Sequence, residues 1–248
     1  MQEKKNKMER GKLKNRNQEK KYEKADPVEI IYYTDPLCCW SWAMEPQLQQ
    51  LKSEYSGQIN WRYCMGGLLP GWKNYHDEIN DVSRPIQMGP VWMHAQQISG
   101  ITMNSTIWMK DPPASSYPSC IAVKCAFLQS QEAGEKYLLL LREALMLHGK
   151  NIAKGIVLVK IAGELSKKLL YNFDVNKFKE DMKNDNGLEA FRKDLQEIQY
   201  KNIKRFPTMI IKSEHAQGIV VTGFRPYSVL LEALMQIASV PAKEPGNN

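Results

Sequence analysis

The sequence lacks an apolar run long enough to cross a bilayer. A membrane-spanning helix needs about 20 consecutive apolar residues, and no run in the 248-residue chain approaches that length. The N-terminal stretch is polar and has no apolar segment of the kind that a secretory signal contains. We therefore expect a cytoplasmic protein that does not associate with membranes.

Cysteine and histidine are scarce and scattered. The chain has five cysteines and four histidines, and none of them has the spacing of a zinc site. An odd number of cysteines in a long chain with no visible export signal argues against a disulfide framework. We therefore expect no metal, no bound cofactor and no stabilising disulfides.

The positive charge is concentrated in one terminal segment. Of the formal net charge of +7, residues 1–24 carry +6. This segment has almost no apolar residues, so we predict a basic, disordered tail over residues 1–26, and a second disordered tail over 241–248. Because aromatic residues are not interleaved with the basic ones, we expect no nucleic-acid partner.

The N-terminal part of the chain beyond the tail has the pattern of a β-α-β unit. Residues 28–34 are β-branched and aromatic, and predict a buried strand, while alternation over 59–65 predicts a second strand. Apolar spacing between them predicts a helix over 42–55, in which Pro46 should kink the helix or delay its regular part. A strand, a helix and a strand with a short return imply parallel pairing.

The remainder reads as a long helical block followed by two strands and a helix. Runs at 208–212 and 219–222 predict an antiparallel hairpin, and a helix follows it. We therefore predict an α/β domain made of residues 27–71 and 206–240, with a helical domain inserted over 72–205. Apolar stripes with helical spacing predict helices near 120–128, 138–145, 157–165, 175–182 and 188–198.

Cys38 and Cys39 stand at the turn between the first strand and the helix. The thiolate is the reactive form of cysteine, and a helix N-terminus favours it by lowering the thiol pKa. We therefore predict that Cys38 is a nucleophile. Cys64, on a strand, and Cys125, on a helix, are better explained as ordinary buried cysteines.

Six motifs in order along the chain suggest a family. The motifs are Asp35-Pro36-Leu37-Cys38 with Trp40 and Trp42, Met65-Gly66-Gly67-Leu68, Ser115-Ser116-Tyr117-Pro118, 148–152, Phe206-Pro207-Thr208 and 223–227. With these motifs the chain resembles the DsbA-like branch of the thioredoxin superfamily, and in particular its cytoplasmic FrnE-like group. The resemblance implies an α/β thioredoxin-like fold, βαβ…ββα, with a large inserted α-helical domain.

The resemblance also assigns roles around Cys38. The family's redox motif is C-x-x-C; Cys38 matches its attacking cysteine, whereas Ser41 stands where the resolving cysteine is expected. A serine cannot release a mixed disulfide. The interpretation is a monothiol oxidoreductase that acts on protein or glutathione mixed disulfides, with glutathione as the candidate co-substrate. Cys39 or Cys120 could resolve the intermediate instead; a disulfide between Cys38 and Cys39 would be strained.

Pro207 corresponds to the family's cis-proline beside the active site. The resemblance implies that Phe206, which precedes it, presents backbone groups to an extended substrate and adds an apolar contact. Trp40 and Trp42 are candidates for the lining of the same groove, although Trp42 fits a core position equally well.

Two other functions fit the same fold. Some relatives in the resembling family are non-catalytic adaptors that present a transcription factor to a protease, and loss of the resolving cysteine is compatible with that role. Kappa-class glutathione transferases share the architecture and use a serine in the active-site turn, but their serine matches the position of Cys38. The substrate, the redox direction and the oligomeric state stay open, with a homodimer among the assemblies considered.

Overall fold

The computed structural model describes residues 27–169, 172–214 and 216–238. The tails predicted at 1–26 and 241–248 lie outside the described residues. The strands are β1 (Val28–Thr34), β2 (Ile59–Met65), β3 (Thr208–Lys212) and β4 (Ile219–Thr222). The helices are α1 (Cys39–Ala43), α2 (Glu45–Glu54), α3 (Met88–Ser99), α4 (Ile107–Lys110), α5 (Tyr117–Phe127), α6 (Gln131–Met146), α7 (Gly155–Leu169), α8 (Val175–Lys183), α9 (Asn186–Tyr200) and α10 (Tyr227–Ala238).

The four strands form one mixed sheet in the order β2-β1-β3-β4. β1 pairs in parallel with β2 and antiparallel with β3, and β3 pairs antiparallel with β4. The parallel unit and the hairpin are therefore as predicted. Together they confirm the thioredoxin-like α/β fold.

β1 is buried on both faces of the sheet, which explains its nearly continuous apolar sequence. Ile30 and Tyr32 point into the main core, while Ile31 and Tyr33 belong to a smaller cluster on the opposite face. The active-site turn follows directly from this central strand, so the sheet fixes the position of the turn firmly.

The helix predicted over 42–55 is two helices that meet at Met44, and the first begins at Cys39. Pro46 lies in the first turn of α2. Because proline has no backbone N–H to donate to the carbonyl four residues earlier, the helix is interrupted there. The prediction that Pro46 would kink the helix or delay its regular part is therefore confirmed. The predicted start at residue 42 was wrong, since the first helix begins at Cys39, and Cys38 lies directly before a helix as expected.

The segment between β2 and β3 contains two helices that the sequence analysis did not assign, α3 and α4. The buried residues of α3 are Met88, Trp92 and Ala95, which have helical spacing. α5 begins three residues before Cys120, with Pro118 in its first turn. No helix in the part of the chain that the structure describes is long and apolar enough to cross a membrane.

Candidate functional site

Cys38 occupies the N-cap position of α1, directly after the turn that leaves β1. Its backbone N–H donates to the carbonyl of Asp35 at 3.1 Å. The buried Asp35 carboxylate accepts from the backbone N–H groups of Leu37 at 2.8 Å and Leu68 at 2.7 Å. Asp35 thereby ties the active-site turn to the loop that follows β2.

The sulfur of Cys38 lies between the start of α1 and the start of β3. It accepts the backbone N–H of Ser41 at 3.4 Å and donates to the carbonyl oxygen of Phe206 at 3.4 Å. The Phe206–Pro207 peptide bond is cis, and Pro207 is buried. Only 4% of the surface of Cys38 is exposed. A sulfur that donates a hydrogen bond is a thiol, so the resting geometry suits the neutral form.

The electrostatic environment of Cys38 agrees with its geometry. Burial is the largest influence on the pKa of the Cys38 thiol and raises it, as does the charge of Asp35. The Ser41 hydroxyl, the Ser41 N–H and Arg142 act to lower this pKa, but the net direction is upward. The prediction of a pKa lowered by the helix N-terminus was therefore wrong. The physical reason is desolvation, which outweighs the few N–H groups of a five-residue helix.

Ser41 is buried, and its oxygen belongs to a polar chain that reaches into the helical segment. Ser41 Oγ accepts from Thr34 Oγ1 at 2.9 Å, and Thr34 Oγ1 accepts from Arg142 Nη2. Arg142 Nη1 donates to Glu45 Oε2 at 2.8 Å. Sequence reasoning missed Thr34 and Arg142; the available signal was a single arginine within the leucine-rich stripe of α6.

The two cysteines proposed as alternative resolving thiols are buried and protonated. Cys39 packs into the main core, and burial raises its pKa well above the usual value. Cys120 is fully buried, and its sulfur donates to Asp35 Oδ2 at 3.3 Å. Burial and the Asp35 charge hold its pKa well above the usual value. The structure therefore pairs Cys120 with Asp35, and all five cysteines are free thiols.

A groove opens beside Cys38. It encloses about 520 Å³, and half-buried Trp40, Phe206 and Phe224 contribute to its lining, together with exposed His94. The Trp40 ring lies 5.9 Å from the His94 ring and 6.2 Å from the Phe224 ring, measured between centroids. The lining also includes polar and charged side chains, those of Asp77, Asn80, Lys204 and Arg205. Grouped aromatic residues and an arginine are enriched in protein-binding sites.

Trp42 does not line this groove. It is buried in the core, and its Nε1 donates to the carbonyl of Thr102 at 3.1 Å. Ile79 and Ile98, which are 62% and 57% exposed, line the groove as well. Among the described residues, no group of three or more His, Cys, Asp or Glu side chains could hold a metal ion.

Phe206 is seated on a glycine from the loop after β2. A Cβ added at Gly66 would lie 2.5 Å from the end of the Phe206 ring. Only glycine leaves room for the ring there. The loop that Asp35 holds in place therefore also supports the residue that accepts the Cys38 hydrogen bond.

Comparison with known proteins extends these observations. The family model described as "Thioredoxin" matches residues 32–232. A protein of Halalkalibacterium halodurans named "ClpXP adapter protein SpxH" is 30% identical over 92% of this chain and 73% of its own. The protein of the same name from Bacillus subtilis is 27% identical over 85% of this chain and 68% of its own. The solved structure titled "Cytosolic disulfide reductase DsbM from Pseudomonas aeruginosa" is similar to this chain, with a TM-score of 0.63 and 19% identity. The similarity covers 84% of this chain and 98% of that chain. At that identity the similarity is one of fold alone.

Proposed function

The chain belongs to the thioredoxin family, and from this premise we propose that it is an adaptor that binds a client protein at the groove beside Cys38 for degradation by ClpXP. The observation that carries the proposal is the state of Cys38. The residue is buried, its pKa is raised by that burial, and its thiol donates to Phe206. A buried thiol that donates a hydrogen bond favours the neutral form of Cys38, which supports a binding role for the site.

The residue at position 41 supports the same conclusion. A dithiol enzyme releases its mixed disulfide through a second thiol, and Ser41 has none. The other nearby sulfur atoms are protonated and buried, as in Cys39 and Cys120. The name carried by relatives at 30% and 27% identity, ClpXP adapter protein, agrees with a binding role.

The groove supplies the docking surface that an adaptor needs. Aromatic residues are the commonest anchors of protein interfaces, and Trp40, Phe206 and Phe224 are grouped here beside exposed Ile79 and Ile98. In the family that the sequence resembles, the residue before the cis-proline pairs with an extended segment. We therefore propose that the client binds as an extended segment with an apolar side chain in the groove.

The test is the turnover of cellular proteins with and without the chain. Cells that lack its gene are complemented with the native chain, Cys38→Ala or Trp40→Ala, and protein half-lives are measured in the presence and absence of ClpP. We expect at least one ClpP-dependent half-life to require the chain. Cys38→Ala should restore this turnover, and Trp40→Ala should weaken client binding by about tenfold or more, because truncation of an anchor typically costs over 1 kcal/mol.

The matched control is Met109→Ala, which removes an apolar side chain that is 73% exposed and does not line the groove. Its turnover should equal that of the native chain. If Cys38→Ala behaves like the gene deletion, or if no ClpP-dependent half-life requires the chain, the adaptor proposal is refuted.

Monothiol exchange is the second candidate, because the Ser41 N–H points at Cys38 Sγ and would stabilise a thiolate once one formed. The Cys38 thiolate would attack one sulfur of oxidised glutathione, form a mixed disulfide and release the other glutathione as its thiolate. Intact mass after incubation with oxidised glutathione tests this: one added glutathione, absent in Cys38→Ala, would support it. Failure to bind glutathione in any form would also remove the kappa-class alternative.

A further inference from the structure

A charged side chain from the helical segment lies beneath the active-site turn. Arg142, on α6, is 1% exposed. Its Nη1 donates to Glu45 Oε2 at 2.8 Å, at the start of α2, and its Nη2 donates to Thr34 Oγ1, at the end of β1. A buried guanidinium with these two partners joins the helical segment to the end of β1, which precedes Cys38, and to the start of α2, which follows α1.

The hydrogen bonds that start at Arg142 can run in one direction only. A guanidinium has donors and no acceptor, so Thr34 Oγ1 must be the acceptor of the first bond. The Thr34 hydroxyl hydrogen is then available, and it is donated to Ser41 Oγ at 2.9 Å. Because Ser41 Oγ is the acceptor of that bond, the hydrogen of its own hydroxyl must point elsewhere.

Two acceptors lie near that hydrogen: the Cys38 sulfur, with which the Ser41 side chain interacts, and the hydroxyl oxygen of Tyr32, with which Ser41 also interacts. The backbone N–H of Ser41 already donates to Cys38 Sγ at 3.4 Å, so the sulfur and Ser41 are neighbours across the first turn of α1. We propose that Arg142 is a positioning residue for Cys38, which fixes the Ser41 hydroxyl, through Thr34, as a donor to Cys38 Sγ.

The proposal does not rest on the adaptor function. It holds whether Cys38 contacts a client or exchanges disulfides, because it concerns how readily the sulfur ionises. Its consequence is that the helical segment, which supplies Arg142, influences the chemistry of a residue on the α/β unit. A change that displaces α6 would change the reactivity of Cys38.

Several groups other than Ser41 influence the Cys38 sulfur. Asp35 raises its pKa and Arg142 lowers it, while Cys39 and Tyr75 also interact with it electrostatically. Ser41→Ala leaves these four groups unchanged, and Thr34→Val keeps their charges but removes the acceptor of the hydrogen bond that Arg142 Nη2 donates. The relay can therefore be separated from the charges around it.

The test is the rate at which iodoacetamide alkylates Cys38 as a function of pH, with peptide fragmentation to distinguish Cys38 from Cys39. Loss of a hydrogen bond to a charged group corresponds to a rate about tenfold lower at a fixed pH below the thiol pKa. We expect this reduction in Ser41→Ala, and a similar one in Thr34→Val. The double variant should be no slower than Ser41→Ala alone, because Thr34 acts only through the Ser41 hydroxyl.

Three further variants keep the test informative. Thr34→Ser retains a hydroxyl and should restore the native rate. Tyr32→Phe removes the competing acceptor beside Ser41; the rate should be unchanged if the Ser41 hydroxyl donates to Cys38 Sγ, and a higher rate would overturn the proposal because it would show that the hydroxyl donates to Tyr32. Lys124→Met removes a comparable cation of the helical segment, paired with Asp194 at 2.9 Å, and should also react at the native rate.

Circular dichroism and the midpoint of thermal unfolding establish that each variant is folded before its rate is compared. The proposal is overturned if folded Thr34→Val reacts at the native rate. It is also overturned if the effects of Thr34→Val and Ser41→Ala multiply in the double variant, since independent residues would behave in that way.

Discussion

The ion pair between Arg142 and Glu45 should contribute to stability in an asymmetric way. Its distance is 2.8 Å, but the Arg142 side chain is 1% exposed and the Glu45 side chain is 14% exposed. Removing the carboxylate in Glu45→Gln leaves a buried cation without a counter-charge. Breaking a buried pair in this way costs about 3–5 kcal/mol, and we expect about 4 kcal/mol here.

The reverse change, Arg142→Met, should cost less. Glu45 reaches solvent in part, and its Oε1 keeps a hydrogen bond from Gln49 at 2.6 Å. Methionine also fills most of the volume of the arginine stem. We expect a loss of about 2 kcal/mol, since a group that regains water or another donor recovers part of its desolvation cost.

The assay is urea unfolding, followed by tryptophan fluorescence and by circular dichroism in parallel. The matched control is the pair Lys136–Glu132 on the same helix, with a distance of 2.6 Å and side chains that are 48% and 55% exposed. Lys136→Met and Glu132→Gln should each change the free energy of unfolding by less than about 1 kcal/mol. If Glu45→Gln costs no more than these controls, or less than Arg142→Met, the argument from burial is wrong.

Two further changes test the packing of the site and the protonation of the cysteines. Gly66→Ala should displace the Phe206 ring and lower the free energy of unfolding by about 1–3 kcal/mol. The control is Gly89→Ala, whose new Cβ meets nothing within 4 Å; it should be neutral or stabilise the helix by up to about 1 kcal/mol. Thermal unfolding measures both variants, and equal effects would contradict the packing argument. Burial raises the pKa of the Cys125 thiol to about 12. Between about pH 8.5 and 12 this thiol is therefore ionised only in the unfolded chain. Its contribution should lower the free energy of unfolding by about 1.4 kcal/mol per pH unit over that range. In Cys125→Ala, the free energy of unfolding measured with urea should fall by about 1.4 kcal/mol less between pH 9 and pH 10 than in the native chain. An unchanged fall would show that folding does not raise the pKa of the Cys125 thiol.

The strands and the position of Cys38 could be predicted because they depend on local pattern. β1 is buried on both faces, so its run of β-branched and aromatic residues is almost uninterrupted. The protonation of Cys38 could not be predicted, because its burial involves Phe206, which lies 168 positions further along the chain. Sequence spacing shows the nearby helix N-terminus but not the distant residue that excludes water.

The polar chain beneath the site was missed for a similar reason. Arg142 and Thr34 are 108 positions apart, and no periodic pattern connects them. Arg142 was hidden among leucines whose spacing indicates a core-facing stripe, where the apolar residues decide the interpretation. An arginine on such a stripe is itself a signal, because arginine is almost never fully buried unless it is paired.

If a client binds at the groove as proposed, the hydrogen bond between Cys38 and Phe206 would connect the state of the sulfur to that binding. A carbonyl oxygen has two lone pairs, so Phe206 can accept one hydrogen bond from Cys38 and a second from the backbone of an extended segment. In this arrangement the thiol donates to the docking carbonyl, and the adaptor proposal requires no nucleophilic step at the sulfur. A serine at position 41 is compatible with the adaptor function proposed above, because an adaptor that forms no mixed disulfide at Cys38 needs no second thiol to release one.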